Sequence, residues 1–236
     1  MRRGINFLSG LQWFQYAGLA KRYRAGTRQT FDTQKLRKVL TNWTELPEPN
    51  ATLLDIGCGE GTVTNFLKKE FVGAGKVIGI DASETMIKLA RQDYPEIDFR
   101  VEKMDKLSLD DNSVDFIFSR FAIHYSTNLT RTLTEIGRVA KPGATFFLQD
   151  THPLFAMFRK KSLDYEKKES VSFVAECDPK MGVVHPTFTI EEYINAIAQT
   201  GWTISSIHEK YGKDAESSEV KPYRVPTSIF FVLKKQ

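Results

Sequence analysis

The stretch LLDIGCGEGTVTNFL, residues 53–67, decides the fold of this 236-residue chain. An apolar run of strand length leads into three glycines at every second position, and a helix-like segment follows. A strand that enters a helix through a glycine loop points backbone N–H groups, and the positive end of the helix dipole, at whatever lies on the loop. The stretch therefore predicts a binding site for an anion or a carboxylate.

The spacing of the glycines discriminates between ligands. The loop at residues 57–61 reads G-x-G-x-G, and Thr62 stands where a dinucleotide fingerprint has its third glycine. Asp55, at the end of the preceding strand, would repel a pyrophosphate but suits an ammonium group. Asp81 follows the next apolar run, where a carboxylate can accept hydrogen bonds from both hydroxyls of a ribose. A nucleoside that carries an amino acid fits this pattern, and S-adenosylmethionine is such a molecule.

Strand-like and helix-like segments alternate along the chain. We expect strands over residues 51–56, 76–80, 97–101, 114–119, 144–149, 202–209 and 227–234. We expect helices over residues 62–70, 83–92, 129–139 and 189–201, with Lys141-Pro142-Gly143 ending the third of them. Such alternation predicts an α/β fold with a parallel sheet covered by helices on both faces. Residues 150–186 break the rhythm and are interpreted as an insertion, with a loop around Pro179, Gly182 and Pro186.

Residues 50–150 resemble the class I S-adenosylmethionine-dependent methyltransferases, and within them the small-molecule branch called type 11. Four motifs carry the resemblance: LDIGCGEG (54–61), GIDASETMIKLA (79–90), DDNSVDFIFSRFAIHY (110–125) and EIGRVAKPGATFFL (135–148). The resemblance implies a Rossmann-like sheet of seven strands whose last strand is antiparallel. It also implies S-adenosylmethionine as the cofactor and S-adenosylhomocysteine as its product.

The resemblance assigns cofactor contacts to matching positions. It places Asp55, Gly57 and Gly59 around the methionine part, with Cys58 as a small residue of the same loop. It places Asp81 on the ribose. It places Ala82, Met86 and Met104 beside the adenine. It places Ser119 at the methionine end of the cofactor.

One position departs from the family pattern. Relatives often carry an acid after the third strand that accepts a hydrogen bond from the adenine amino group, and here that position is Lys103. The lysine side chain has no hydrogen-bond acceptor. Either Asp105 or Glu102 replaces the acid, or the amino group meets water or a backbone carbonyl. Met104 is kept as an adenine contact, and no metal ligands are predicted.

Catalysis asks little of the protein, because the sulfonium of the cofactor is already an activated methyl donor. The protein has to align the acceptor and exclude water, and it needs a base only for a hydroxyl or a protonated amine. Side chains beyond strands four and five face the expected ligand side. We rank His152 first as the base, then His124 and Tyr125. The alternatives are that His152 caps a turn and that His124 supports the pocket.

The N-terminal arm is strongly basic. Six basic residues precede the first acid, Asp32, so the rest of the chain carries −2 of the net charge of +4. The arm is interpreted as a helical lid with Tyr16 and Tyr23 over the cofactor, although a helix solvated on its basic face or a membrane or docking contact fits as well. The predicted parts of the single domain are residues 1–48 (lid), 49–149 (cofactor core), 150–186 (substrate cap) and 187–236 (end of the sheet).

Aromatic residues in the arm and the cap suggest a partly apolar small-molecule acceptor such as a quinone, a lipid precursor or a secondary metabolite. The alternatives are a cofactor-binding scaffold subunit without turnover, or an RNA or protein methyltransferase. Nucleic acid is disfavoured as a partner, since no basic domain accompanies the core. Two cysteines, an interrupted N-terminal apolar segment and no run of transmembrane length lead us to expect a cytoplasmic monomer or homodimer.

Overall fold

The computed structural model describes residues 20–70, 75–175, 178–212 and 224–236. Its helices are α1 (Ala20–Thr30), α2 (Thr33–Trp43), α3 (Thr62–Glu70), α4 (Glu84–Asp93), α5 (Leu129–Val139), α6 (Pro153–Met157) and α7 (Ile190–Gln199), with a short 3-10 turn at Ile123–Tyr125. Its strands are β1 (Thr52–Ile56), β2 (Lys76–Asp81), β3 (Asp98–Val101), β4 (Val114–Arg120), β5 (Ala140–Thr151), β6 (Ser170–Ala175), β7 (Asp178–Pro186), β8 (Trp202–Lys210) and β9 (Ser228–Lys235).

Seven of these strands form one sheet in the order β3-β2-β1-β4-β5-β9-β8. Strands β1 to β5 run parallel, and β9 is antiparallel to both of its neighbours. The predicted seven-stranded sheet with an antiparallel last strand is confirmed. Because β1 pairs with β2 on one side and β4 on the other, the order reverses there. Ligands of open parallel sheets bind at such a reversal, outside the carboxyl ends of the strands.

Apolar residues alternate along the strands and cover both faces of the sheet. In β1, Leu53 packs on the face of helices α2, α3 and α4, whereas Leu54 packs on the face of α5 and α7. Strand β4 divides in the same way, with Phe118 on the first face and Ile117 on the second. Successive side chains of a strand point to opposite faces, so one apolar run supplies two cores. This arrangement holds the carboxyl ends of β1, β2 and β4 rigidly beside one another.

Two sequence expectations about the sheet are corrected by the structure. Helix α5 does end at Val139, but Lys141-Pro142-Gly143 belong to β5. The register passes from Val114 opposite Ala140 to Phe116 opposite Thr145, so β5 absorbs the extra residues as a bulge. Both carboxyl oxygens of Asp115 accept from Lys141 Nζ at 2.8 Å, which anchors this bulge.

The second correction concerns the predicted insertion. The segment around Pro179, Gly182 and Pro186, interpreted as a loop, is strand β7, which pairs antiparallel with β6 in a separate two-stranded sheet. Proline is compatible with this strand because Pro186 lies at its end, in the last pair with Ser170. Strand β5 also extends to Thr151, into the segment assigned to the insertion.

Within the described ranges, no helix has the length and apolar character needed to cross a membrane.

Candidate functional site

A cleft opens at the carboxyl ends of β1, β2 and β4, where the strand order reverses. Its empty volume is about 740 Å³ when the open solvent at its mouth is included. The structure brings eight of the predicted site residues together in its lining: Tyr23, Gly57, Gly59, Asp81, Ala82, Met86, Met104 and Tyr125. These residues come from α1, the glycine loop, the end of β2, the first turn of α4, the segment after β3 and the 3-10 turn.

The glycine loop is fixed by its backbone. The N–H groups of Gly57 and Cys58 both donate to the carbonyl of Ile80, at 2.8 and 2.9 Å, and so tie the loop to the end of β2. Gly57 has φ of +73°, and a Cβ atom there would lie 2.2 Å from the Cβ of Ala122. A larger residue at this position would be strained and would also collide with the wall of the cleft. Glycine is therefore required at residue 57 for the loop to pack against Ala122 in this conformation.

Asp81 connects the loop to the helix that follows β2. Its Oδ2 accepts from the N–H of Gly59 at 3.0 Å, and its Oδ1 accepts from the N–H of Ser83 at 2.8 Å. Burial raises the pKa of Asp81, although both N–H donors act in the opposite direction. A carboxylate has about four acceptor positions. Asp81 thus retains about two that a ligand in the cleft can use.

Asp55 lies in the interior and is not among the residues that line the cleft. Thr64, in the first turn of α3, donates from its hydroxyl to Asp55 Oδ2 at 2.6 Å. Burial, together with the neighbouring charge of Asp81, raises the pKa of Asp55 to about 7. In this structure Asp55 supports the start of α3.

Three further predicted cofactor residues also lie outside the lining of the cleft. Ser119 is buried, and its hydroxyl donates to the carbonyl of Ile56 at 3.0 Å. Burial raises the pKa of the Cys58 thiol well above its ordinary value, which fits a small packing residue and not a nucleophile. Asp105 lies 3.3 Å from Arg131 Nε in a separate polar groove. Ser119 and Cys58 thus pack in the interior behind the cleft, and Asp105 lies away from it.

Tyr16 lies outside the described residues, but the end of the predicted lid is visible. Helix α1 carries Tyr23 to the cleft, and Arg24 and Arg28 both bind Asp93 on α4, at 3.0 and 2.8 Å. Ala20 packs beside Met86 in a small apolar cluster. Helix α1 is therefore fixed to the helix that follows β2, next to the cleft.

His152 does not line the cleft. Its side chain is fully buried, and its Nδ1 accepts from the N–H of Leu154 at 3.1 Å at the start of α6. A nitrogen that accepts is unprotonated, so the proton sits on Nε2, which lies 2.8 Å from Glu209 Oε1. Both nitrogens are used, and His152 caps a helix and braces β8, as the turn-capping alternative expects.

His124 and Asp150 form a buried pair at the carboxyl ends of β4 and β5. His124 Nδ1 makes a short hydrogen bond to Asp150 Oδ1, which also accepts from the N–H of Thr151 at 2.8 Å. Tyr193 donates to the other oxygen, Oδ2, at 2.8 Å. Burial alone would raise the pKa of Asp150, but His124 and Tyr193 outweigh it and the pKa lies below its ordinary value. Asp150 is thus a buried carboxylate that orients His124.

The pair lies next to the cleft. The ring of His124 is 4.5 Å from that of Tyr125, which lines the cleft, and 3.9 Å from the stacked ring of His185 on β7. Tyr193, on α7, was not predicted from the sequence. It reaches Asp150 across 43 residues of chain, and only the packing of α7 against β5 brings the two together.

Two charged residues, Arg120 and Glu102, also line the cleft. Arg120 was not predicted from the sequence, and Glu102 was one of two alternatives for the acid beside the adenine. Arg120, which directly follows Ser119 at the end of β4, is the one basic residue among the described residues that line the cleft. Its place at a strand end, the criterion used for Ser119, was the signal that could have found it. Glu102 lines the cleft, whereas Lys103 and Asp105 do not. The N–H of Ser108 donates to Glu102 Oε2 at 2.9 Å.

Comparison with known proteins agrees with this arrangement. Residues 54–148 match the family model described as "Methyltransferase domain". This match and the fold support a class I S-adenosylmethionine-dependent methyltransferase domain at these residues. The demethylmenaquinone methyltransferase of Lactiplantibacillus plantarum is 36% identical over 43% of this chain and 46% of its own length. That of Chlorobaculum tepidum is 27% identical over 80% of this chain and 75% of its own.

Solved structures share the fold of the methyltransferase domain. An S-adenosylmethionine-dependent methyltransferase from Mesorhizobium loti superposes with a TM-score of 0.65 and 23% identity, over 86% of this chain and 96% of its own. The chain spans less than half the length of several curated relatives that it matches, at 37%, 28% and 46% of three of them.

Proposed function

We propose that the protein transfers a methyl group from S-adenosylmethionine to a small, partly apolar molecule. The observation that carries the proposal is Asp81, whose carboxylate fixes the glycine loop and keeps about two acceptor positions for the hydroxyls of a ribose. Gly57, whose positive φ and close approach to Ala122 require glycine, keeps the loop backbone beside the cleft. Bound S-adenosylmethionine supplies an activated methyl group.

The described lining suggests which residues hold each part of the cofactor. The glycine loop, with Gly57 and Gly59, takes the methionine part, and Met86 and Met104 offer apolar surface to the adenine. Glu102, at the end of β3, is our choice for the acid beside the adenine amino group, because it lines the cleft and Asp105 does not. Tyr23, which lines the cleft, and helix α1 are proposed to cover the bound cofactor as a lid.

Arg120 is proposed to bind the carboxylate of the methionine part. It is the one cation of the described lining, and it lies at the end of β4, next to the glycine loop that follows β1. A guanidinium binds a carboxylate through two parallel hydrogen bonds, which gives orientation as well as affinity. The side chain is held in place by Gln149, whose Oε1 accepts from Arg120 Nε at 3.2 Å, and its guanidinium lies 5.0 Å from the ring of Phe121.

His124 is proposed as the general base in place of His152. Asp150 occupies Nδ1 of His124, so Nε2 is the nitrogen left to accept a proton from the acceptor. Asp150 also stabilises the imidazolium that forms, since it is a carboxylate buried within hydrogen-bonding distance. His152 has neither nitrogen available, because Glu209 and the N–H of Leu154 engage both. Tyr125, between the cleft and His124, is proposed to align the acceptor.

A phenol or hydroquinone is the acceptor class that we favour. Loss of its hydroxyl proton to His124 would make either the oxygen or a ring carbon nucleophilic, and several relatives are named demethylmenaquinone methyltransferases. Two aromatic residues of the 150–186 segment, Phe155 and Phe173, have their rings 5.9 Å apart. Phe173 stacks on His185, which in turn stacks on His124. We propose that this segment and the N-terminal arm enclose the acceptor.

A turnover assay tests the proposed function. The protein is incubated with S-adenosylmethionine and separate phenol, hydroquinone, amine and carboxylate panels, and S-adenosylhomocysteine is measured. We expect product with phenols or hydroquinones, and we expect His124→Gln to abolish it. Cofactor binding without turnover on any panel would contradict methyl transfer to small molecules and favour the scaffold alternative.

A further inference from the structure

His185 is a buried histidine that the proposed cofactor site and base do not use. It lies near the end of β7, in the segment 182–186 that pairs with β6, and only 3% of its surface is exposed. Its ring is held between two others: His124 stacks at 3.9 Å on a nearly parallel plane, and Phe173 stacks at 4.8 Å with an interplanar angle of 4°. The orientation of its nitrogens is therefore fixed.

The tautomer of His185 follows from its backbone neighbour. Nδ1 lies 2.7 Å from the carbonyl oxygen of Pro186, and a carbonyl only accepts, so Nδ1 carries the proton. Burial, with the nearby ring of His124 as a further cause, lowers the pKa of His185 to about 3. The ring is neutral at physiological pH. Nε2 is then a bare lone pair that accepts one hydrogen bond and donates none.

That lone pair has no donor. Nε2 of His185 is one of the few buried side-chain polar atoms in the described part of the chain without a hydrogen-bond partner. A buried acceptor without a donor is destabilising, and such groups in folded proteins call for an explanation. Tyr125 links His185 to the cleft, because it lines the cleft and its ring meets that of His185 edge to face at 5.9 Å.

We infer that His185 Nε2 is a recognition group for the methyl acceptor and accepts a hydrogen bond from a neutral hydroxyl or N–H of that molecule other than the hydroxyl that His124 deprotonates. This inference rests on the proposed function. An anionic group has no proton to donate to Nε2, so the site favours a hydroquinone over its monomethyl ether. Nε2 is buried in this structure, so a neighbouring side chain such as Tyr125 has to shift for the donor to reach it.

Arg159 lies beside Phe173, at the end of the ring stack that is away from His124. Its guanidinium lies 4.4 Å from the ring of Phe155 and 4.8 Å from that of Phe173. Phe173 is in turn stacked on His185. The Arg159 guanidinium stabilises the stack of Phe173 on His185, since a guanidinium is attracted to the face of an aromatic ring.

A matched pair of probes tests the inference: 1,4-dihydroxynaphthalene, which has two hydroxyl donors, and 4-methoxy-1-naphthol, which has the same rings and one hydroxyl for His124. Each is titrated anaerobically into the protein saturated with S-adenosylhomocysteine. We expect the wild type to bind 1,4-dihydroxynaphthalene about tenfold more tightly, a difference of about 1.4 kcal/mol. In His185→Phe, which keeps an aromatic ring in the stack and removes the acceptor, we expect the two probes to bind equally.

Three results would overturn the inference: no binding of 1,4-dihydroxynaphthalene to the wild type, no preference for it over its monomethyl ether, or an unchanged preference in His185→Phe. The affinity for S-adenosylhomocysteine is measured in both proteins as the control and is expected to be equal. Failure of the wild type to bind S-adenosylhomocysteine would instead contradict the proposed function, so the two failures are distinguishable. His185→Gln is a second variant that can still accept a hydrogen bond, and we expect it to retain part of the preference.

Discussion

The two sides of the cleft are built by different means. On the side of β1 and β2, the backbone defines the site: two loop N–H groups bind the carbonyl of Ile80, and Asp81 accepts from two more N–H groups. Beside the cleft, on the side of β4 and β5, side chains form a buried network: His124, Asp150 and Tyr193 meet from three separate elements. The backbone side depends on glycines and one carboxylate, whereas the side-chain network depends on each of its members.

The largest effect expected from this difference falls on the side-chain network. His124→Ala should lower turnover by about a thousandfold, within the range for loss of a general base. His152→Ala should change turnover far less, since His152 caps a helix. Both rates are measured with the acceptor found for the wild type, and S-adenosylhomocysteine affinity is measured alongside. Equal losses in the two variants, or a lost cofactor affinity in His124→Ala, would remove the distinction between the two sides.

The next effect falls on the backbone side. Asp81→Asn should weaken S-adenosylhomocysteine binding by at least about a hundredfold, because it replaces a charged acceptor of ribose hydroxyls and disturbs the N–H donors of Gly59 and Ser83. Calorimetric titration measures it. Asp98→Asn, on the neighbouring strand β3 and paired with Arg100, is the matched control. Tight binding by Asp81→Asn would show that the ribose lies elsewhere.

A smaller effect is expected at Arg120, which lies at the end of β4 next to the glycine loop and so borders both sides of the cleft. Arg120→Gln should weaken S-adenosylhomocysteine binding about tenfold and leave the binding of 5′-methylthioadenosine unchanged, because the latter lacks the amino-acid part. Asp81→Asn should weaken both ligands, which provides the contrast. If Arg120→Gln weakened both ligands equally, the guanidinium would support the cleft and not bind the carboxylate.

The smallest effect is on stability, and its sign differs between the two sides. The pKa of Asp55 is about 7 in the folded chain against an ordinary value of 3.8, so its folded form favours the proton. Stability from this group is full below pH 3.8 and is lost as the pH rises towards 7. The free energy of unfolding of Asp55→Asn, relative to wild type, should therefore rise by at least about 1.4 kcal/mol between pH 4 and pH 7.

His185 gives the opposite sign. Its pKa of about 3 lies below the ordinary value of 6.5, so stability is full above pH 6.5 and is lost as the pH falls towards 3. Relative to wild type, His185→Phe should gain stability as the pH is lowered through that window. Chemical denaturation at a series of pH values measures both variants. Parallel curves for a variant and the wild type would mean that its group titrates normally in the folded protein.

The same contrast explains what the sequence could predict. Gly57, Gly59 and Asp81 are found from spacing, because a backbone loop between a strand and a helix is local in the chain and constrains residue type directly. The strands and the core helices follow from apolar periodicity for the same reason, whereas the seven-stranded sheet with its antiparallel last strand was implied by the family resemblance. Arg120 was missed although it follows Ser119 directly, since an arginine at a strand end has many uses.

The network around His124 could not be ranked from the sequence. His152 and His124 both follow central strands, and only the observed partners separate them: Glu209 lies 57 residues from His152, and Tyr193 lies 43 residues from Asp150. Strand β7 was interpreted as a loop because prolines at its ends mask a pairing with β6 that depends on register. Long-range contacts of this kind leave no local signal in one sequence.

The central claim is that the cleft between β1, β2 and β4 binds S-adenosylmethionine. The most direct test is calorimetric titration of the protein with S-adenosylmethionine, S-adenosylhomocysteine and NAD in parallel. We expect saturable binding of the first two, with one site per chain, and none of NAD. Binding of NAD alone would mean that the glycine loop and Asp81 serve a dinucleotide, and it would contradict the assignment of every cofactor residue.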